Sequence, residues 1–199
     1  IIGNAVLTMP FHLALAHGYG KLYWDVDDYG WGWLVGSIVV YLVVTETLIY
    51  WTHRLLHTDF FYDRLHKYHH QFRLTTSWVS TAFHPVDSFA QAFPHHLCVF
   101  LFPVHAAVYL TMVGFVTVWS VMIHDRVSFL RWKLINYTGH HTLHHWYYRS
   151  NLGQFTTIWD RIGGTYMDPE QHYDDLPEGV VVRWQDTKAK PALAPATES

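Results

Sequence analysis

Four histidines fall within six positions of the stretch 138–145, T-G-H-H-T-L-H-H. The chain holds 17 histidines in 199 residues, and nine of them lie in three tight clusters: His53/His57, His66/His69/His70 and His140/His141/His144/His145. Imidazole is the commonest nitrogen ligand for zinc, iron and copper, and histidines three or four apart share one helix face. The pattern points to a polyhistidine metal centre.

The spacing is regular. His66-x-x-His69-His70 and His141-x-x-His144-His145 repeat the same H-x-x-H-H arrangement, and His53-x-x-x-His57 adds a pair. In a helix the first and last histidines of each triplet align at i, i+4 and the middle one at i, i+3, so each triplet reaches two nearby points. Two triplets and one pair supply eight imidazoles, enough for two metals with four apiece. A single H-x-x-x-H is more often a solvated helix face; the repetition argues for ligands. A zinc peptidase would show H-E-x-x-H, whereas Arg54 and Lys67 follow the leading histidines here. Soluble di-iron oxygenases rely on carboxylates, and these clusters contain none. An all-nitrogen set beside apolar helices suits a membrane di-iron centre that activates oxygen.

Composition sets the frame around these residues. Half the chain is hydrophobic, 18% is aromatic and only 15% is charged, which points to a membrane protein. A net charge of -3 gives no basic footprint for nucleic acid, and Cys98 is the single cysteine, so no intrachain disulfide or thiolate metal site forms. Residues 1–16 read as a membrane span cut short by missing upstream sequence, and 18–31 as an aromatic loop at a membrane interface. The apolar run 33–51 predicts a transmembrane helix that continues into His53 and His57, carrying them just beyond the bilayer. Residues 89–123 predict a hairpin of two short or tilted helices, which returns the chain to the side where His84 and His124 flank it. Of 13 Lys/Arg, only Lys21 lies on the opposite side, with three more in the tail; the positive-inside rule then makes the metal side cytoplasmic. The expectation is an all-α integral membrane protein: transmembrane helices and a cytoplasmic helical cap holding a polyhistidine di-iron site. Residues 1–185 form one domain, and 186–199 a disordered tail, low in complexity from Pro191.

Ligating imidazoles usually donate their second N–H to a carboxylate or carbonyl. Glu46, seven residues before His53 on the same helix face and inside an apolar run, is one expected partner, with Asp125 and Asp160 as others. An ion pair with Arg126 or Arg161 is an equal alternative for the two aspartates. His12, His17, His95, His96, His105 and His172 lie outside the pattern and read as interfacial or incidental.

The clusters in this order resemble the fatty acid hydroxylase and sterol desaturase superfamily. The stretches 18–31, 49–57 (I-Y-W-T-H-R-L-L-H), 65–70 (L-H-K-Y-H-H), 82–87 (A-F-H-P-V-D), 119–125 (W-S-V-M-I-H-D) and 153–165 (G-Q-F-T-T-I-W-D-R-I-G-G-T) are similar to the C-5 sterol desaturases. That resemblance implies O2-dependent removal of two hydrogens to form the C5=C6 double bond of a delta-7 sterol. It also implies two Fe ions and electrons from NAD(P)H through cytochrome b5 or an equivalent carrier. The implied setting is a membrane, the endoplasmic reticulum in a eukaryote. Desaturation rather than hydroxylation rests on the resemblance alone; the alternatives are a hydroxylase acting on a methyl sterol, fatty acyl lipid or carotenoid, and a non-catalytic metal-binding membrane protein.

The ligands implied are His53, His57, His66, His69, His70, His141, His144 and His145, with His124 of the H-D motif as a ninth and His84 of F-H-P-V-D as a tenth. For His84 a hydrogen-bonded position at the start of a helix is the equal alternative, and His140 is read as exposed or one step removed from the metal. Thr81, Ser88 and Leu152 depart from the family pattern: Thr81 removes one possible nitrogen ligand or a group supporting a ligand, and the other two bear on the substrate wall.

Overall fold

The computed structural model describes residues 2–128, 130–177, 180 and 182–183; the expected disordered tail lies outside them. The longest element is helix α2, Gly30–Leu56, largely apolar and without proline. Its 27 residues span about 40 Å, which exceeds a hydrocarbon core of about 30 Å and carries the last turns past it. Ser37, Tyr41, Thr45, Ile49 and His53 recur every four residues as its buried stripe, while Trp31, Val35, Val39, Val43, Trp51 and Leu55 form an exposed apolar stripe on another face. Side chains that small or polar packed inward, with valines outward, are what a lipid-facing helix needs.

The expected hairpin is present as α5, Pro85–Leu101, and α6, Ala106–Ile123. They are about 26 and 27 Å long, and Pro103 lies in the turn between them. Each begins with a histidine: His84 Nδ1 accepts the Val86 N–H and His105 Nδ1 accepts the Ala107 N–H, satisfying donors that the first helical turn leaves orphaned. Among the described residues, only α2 and α6 are both long and apolar enough to cross a membrane.

Helix α1, Ile2–Ala16, packs on α5 through Phe11, whose ring meets those of Phe89, Phe93 and Phe100. Two buried polar links bind the hairpin: Tyr41 Oη lies 3.0 Å from His95 Nδ1, and Tyr109 Oη 2.8 Å from His96 Nδ1. His95 and His96 are therefore buried between helices, not interfacial as expected; an apolar helix pair accepts an imidazole when a hydroxyl meets it. A two-residue parallel pairing of β1, Leu22–Tyr23, with β2, Val104–His105, ties the chain after α1 to the hairpin turn.

Past the spans, α3 (Asp59–Phe61), a π-helical turn (Tyr62–His66) and α4 (Lys67–His70) form one broken helix. After a 3-10 turn at Ser77–Thr81 comes the hairpin, and then β3 (Val127–Ser128), which pairs with β4 (Val182–Arg183). Helix α7, Thr138–Tyr147, is followed by α8, Ile158–Gly163, and α9, Pro169–His172. Leu143 at the back of α7 packs with Leu176 and Val180 as a second, smaller core.

Candidate metal centre

Four structural units deliver histidines to one place: the end of α2, the π turn with α4, the C-terminus of α6, and α7. They gather into two groups. Ring nitrogens of His53, His57, His66, His70 and His144 all lie within 4.8 Å of one another, and those of His69, His124, His141 and His145 do the same. The two triplets split in opposite senses. His66 and His70 join the first group and the middle His69 the second, whereas His141 and His145 join the second and the middle His144 the first. The i, i+4 pair of each triplet thus faces one point and its middle histidine the other, as the spacing required.

For four of the rings, hydrogen bonds fix which nitrogen bears the proton. His53 Nδ1 lies 2.9 Å from the Leu152 carbonyl, which only accepts, so its Nε2 carries a lone pair. His66 Nδ1 donates to Asp87 Oδ2 at 2.7 Å, which leaves its Nε2 a lone pair too. Yet those two Nε2 atoms are 3.2 Å apart, and His70 Nε2 is 3.1 Å from that of His66. In the second group His124 Nδ1 donates to the Ser120 carbonyl at 2.7 Å, and its Nε2 faces His141 Nε2 at 2.9 Å and His69 Nε2 at 3.2 Å. His144 donates to the Ser150 carbonyl at 2.8 Å, and its Nε2 is buried without a hydrogen-bonding partner. Converging lone pairs repel unless a cation sits among them. Nitrogen separations near 3 Å are those of adjacent ligands around an ion held at about 2.1 Å.

Electrostatics agree. Burial, reinforced by the neighbouring imidazoles, holds His57, His69, His70, His141, His144 and His145 far below the ordinary histidine range, and burial pushes His124 down to about 4. At neutral pH these rings are uncharged, the form that ligates.

The polar groups around the rings differ from those expected. Glu46 does not touch a histidine: its oxygens accept the Phe155 N–H at 2.9 Å and the Thr156 N–H at 2.8 Å, with the Thr156 hydroxyl at 3.0 Å. Asp160 accepts the Leu152 N–H at 2.7 Å and the Gly153 N–H at 2.9 Å. The two carboxylates satisfy four backbone donors of the loop 152–156, and that loop offers the Leu152 carbonyl to His53. They therefore act one step further out than expected, through the backbone. Asn151, in the left-handed region at φ 52°, completes the clasp by bonding His140 O and Met167 on both its backbone atoms. Asp125 instead caps a turn, accepting the Arg126 and Val127 N–H groups and the Ser77 hydroxyl; burial opposes its ionisation, but those donors hold it below the ordinary aspartate range.

His84 lies outside both groups. Its Nδ1 is occupied at the start of α5 and its ring stacks on Tyr68 at 5.9 Å, so the helix-start alternative describes its placement. His140 is also outside them and is fully buried rather than exposed; its Nδ1 accepts the Tyr137 N–H at 3.4 Å, capping α7. The residue that sequence reasoning missed is Asp87, 0% exposed and bound to His66. It stood in the quoted A-F-H-P-V-D stretch, one turn past His84, and an aspartate at the start of a helix reads first as a helix-dipole partner.

Two cavities flank the spans. One, of about 490 Å3, is walled by Phe115, Trp119, Phe155 and Trp159, with Glu46 at its edge. The other, of about 300 Å3, lies among α1, α2, α5 and α6 and is lined by Thr81, Phe83, Ser88, Gln91, His95 and Ser120 among others. Thr81 and Ser88, two of the family departures, face it.

The fatty acid hydroxylase family model matches residues 38–165. A Delta(7)-sterol 5(6)-desaturase of Schizosaccharomyces pombe is 42% identical over 173 residues, covering 87% of this chain and 58% of that protein. The lathosterol oxidase of Homo sapiens is 42% identical over 170 residues, covering 83% and 57% respectively. A Delta(7)-sterol 5(6)-desaturase of Aspergillus fumigatus is 44% identical over 176 residues, covering 86% and 51%. The chain thus spans little more than half the length of these relatives. No solved structure matches it.

Proposed function

The chain belongs to the fatty acid hydroxylase family, and from that premise we propose that it is a membrane di-iron oxidoreductase that forms the C5=C6 double bond of a delta-7 sterol. The observation that carries this reading is the pair of histidine groups, side by side and together nine imidazoles strong. The names of the relatives, delta(7)-sterol 5(6)-desaturase and lathosterol oxidase, supply the substrate class. Two irons held there would supply the reduction of one dioxygen to two waters, with two electrons from the sterol C–H bonds and two from NAD(P)H through a cytochrome b5-type carrier.

His53, His57, His66, His70 and His144 would hold one ion and His69, His124, His141 and His145 the other. Asp87 and the Leu152, Ser150 and Ser120 carbonyls orient the rings and keep Nδ1 protonated. Phe83, stacked on His69 with ring centroids 4.0 Å apart, screens the second group from water. The excess of Lys/Arg around the histidines favours a cytoplasmic active site, and in a eukaryotic cell the endoplasmic reticulum as its membrane.

Sterol profiling of a cell that lacks its own C-5 desaturase tests this reading. Expression of the full-length protein should convert accumulated delta-7 sterols to delta-5,7 sterols. A hydroxylated methyl sterol, fatty acyl lipid or carotenoid instead would make the protein a hydroxylase. An unchanged lipid profile from metal-loaded protein would make it a non-catalytic metal-binding protein.

A further inference from the structure

From the cavity of about 300 Å3 among α1, α2, α5 and α6 we infer that it receives the rigid, hydroxylated lipid substrate, with the Gln91 side-chain amide as the anchor for the substrate hydroxyl. This inference rests on the sterol reading above.

Of the two cavities, this one adjoins the ligand rings. Phe83 in its wall stacks directly on His69, and Ser120 in the opposite wall gives its carbonyl to His124. The larger cavity borders the loop 152–156 at Phe155 and Thr156, and the Glu46 carboxylate at its edge is already engaged by three donors. From Ser88 to His95 the smaller cavity runs along two turns of α5, about 10 Å. Its wall combines Ile49, Phe83 and valines of α6 with hydroxyl, amide and imidazole groups, a lining that suits a largely apolar ligand carrying a polar group.

Chemistry then places the hydroxyl. In a 3-hydroxy delta-7 sterol the carbinol carbon is two bonds from C5, so a reacting C5 at the metal centre puts the hydroxyl beside it. At that end the Thr81 and Ser80 hydroxyls donate to the Trp78 and Ser77 carbonyls, and Ser88 offers a further hydroxyl to the cavity. Gln91 is placed differently. Its Nε2 donates to Asp87 Oδ1 at 2.8 Å, and because an ionised carboxylate only accepts, the amide orientation is fixed. The other end of the amide, Oε1, receives no donor from any described residue and is the acceptor for a substrate O–H. Asp87 Oδ2 in turn holds His66, so the anchored hydroxyl sits three hydrogen bonds from a ligating ring.

A substrate-against-residue cycle tests this. For the full-length enzyme in lipid nanodiscs, Gln91→Leu should lower kcat/KM for a 3β-hydroxy delta-7 sterol about tenfold more than for the matching 3-deoxy sterol, through KM. Any loss shared by both substrates, read beside iron content, measures the support that Gln91 gives Asp87. An equal loss on both substrates would reduce Gln91 to a support for Asp87 and overturn the anchor. Independently of turnover, a photoactivatable delta-7 sterol should label segments 80–96 and 113–121, in metal-loaded and in chelator-treated protein. Labelling at 155–162 instead would assign the lipid to the larger cavity and overturn the site while leaving the reaction intact. Labelling at 80–96 without any turnover would keep the site and remove the desaturase reading.

Discussion

Replacing His124 by alanine should abolish sterol turnover, by more than the roughly 100-fold that losing an outer hydrogen-bonding partner costs, and should remove one of two bound metals. The second histidine group has four members, and His124 stands at its centre, with Nε2 2.9 Å from that of His141 and 3.2 Å from that of His69. Alanine leaves three rings and a void. His124 lies at the C-cap of α6, past the last helical turn of the span, so membrane insertion should be unchanged. Metal analysis of the purified variant beside its turnover checks both halves. Two metals retained with full activity would take His124 out of the ligand set.

Asp87→Ala should be nearly as damaging although Asp87 touches no metal. It leaves the buried His66 Nδ1–H without an acceptor and frees the ring to rotate, in a place where neither partner is exposed. An outer-partner loss of this kind costs about 10- to 100-fold in metal affinity or activity. Asp87→Asn keeps an acceptor oxygen but not the charge, so it should fall between wild type and alanine. Iron affinity measured by competition with a chelator orders the three proteins. Equal affinities would show that Asp87 supports the fold and not the ligand.

Which parts of this centre the sequence reveals follows from periodicity. The two H-x-x-H-H triplets declare their division between two points, because helix geometry fixes where i, i+3 and i, i+4 side chains go. The span α2 and the hairpin are legible from apolar runs, and His53 at the end of the Ser37–Tyr41–Thr45–Ile49 stripe follows from the same period. The supporting groups are hidden for physical reasons. Three of the partners that orient the rings are backbone carbonyls, from Ser120, Ser150 and Leu152, and a carbonyl has no side-chain signature. Glu46 and Asp160 look like direct partners because they are acids in apolar or ligand-rich stretches, but they bind the amides of a loop whose path only the folded chain shows. His84 and His140 match the ligand residue type and sit beside ligands in sequence, yet both use Nδ1 to cap helices.

The central claim is that two buried histidine groups hold two irons, and metal analysis of the purified full-length protein measures it most directly. Close to two irons per chain, both lost together with sterol desaturation on chelation and restored with it on adding iron back, is the result expected. One tightly held zinc per chain, with no iron and no effect of iron on activity, would contradict it.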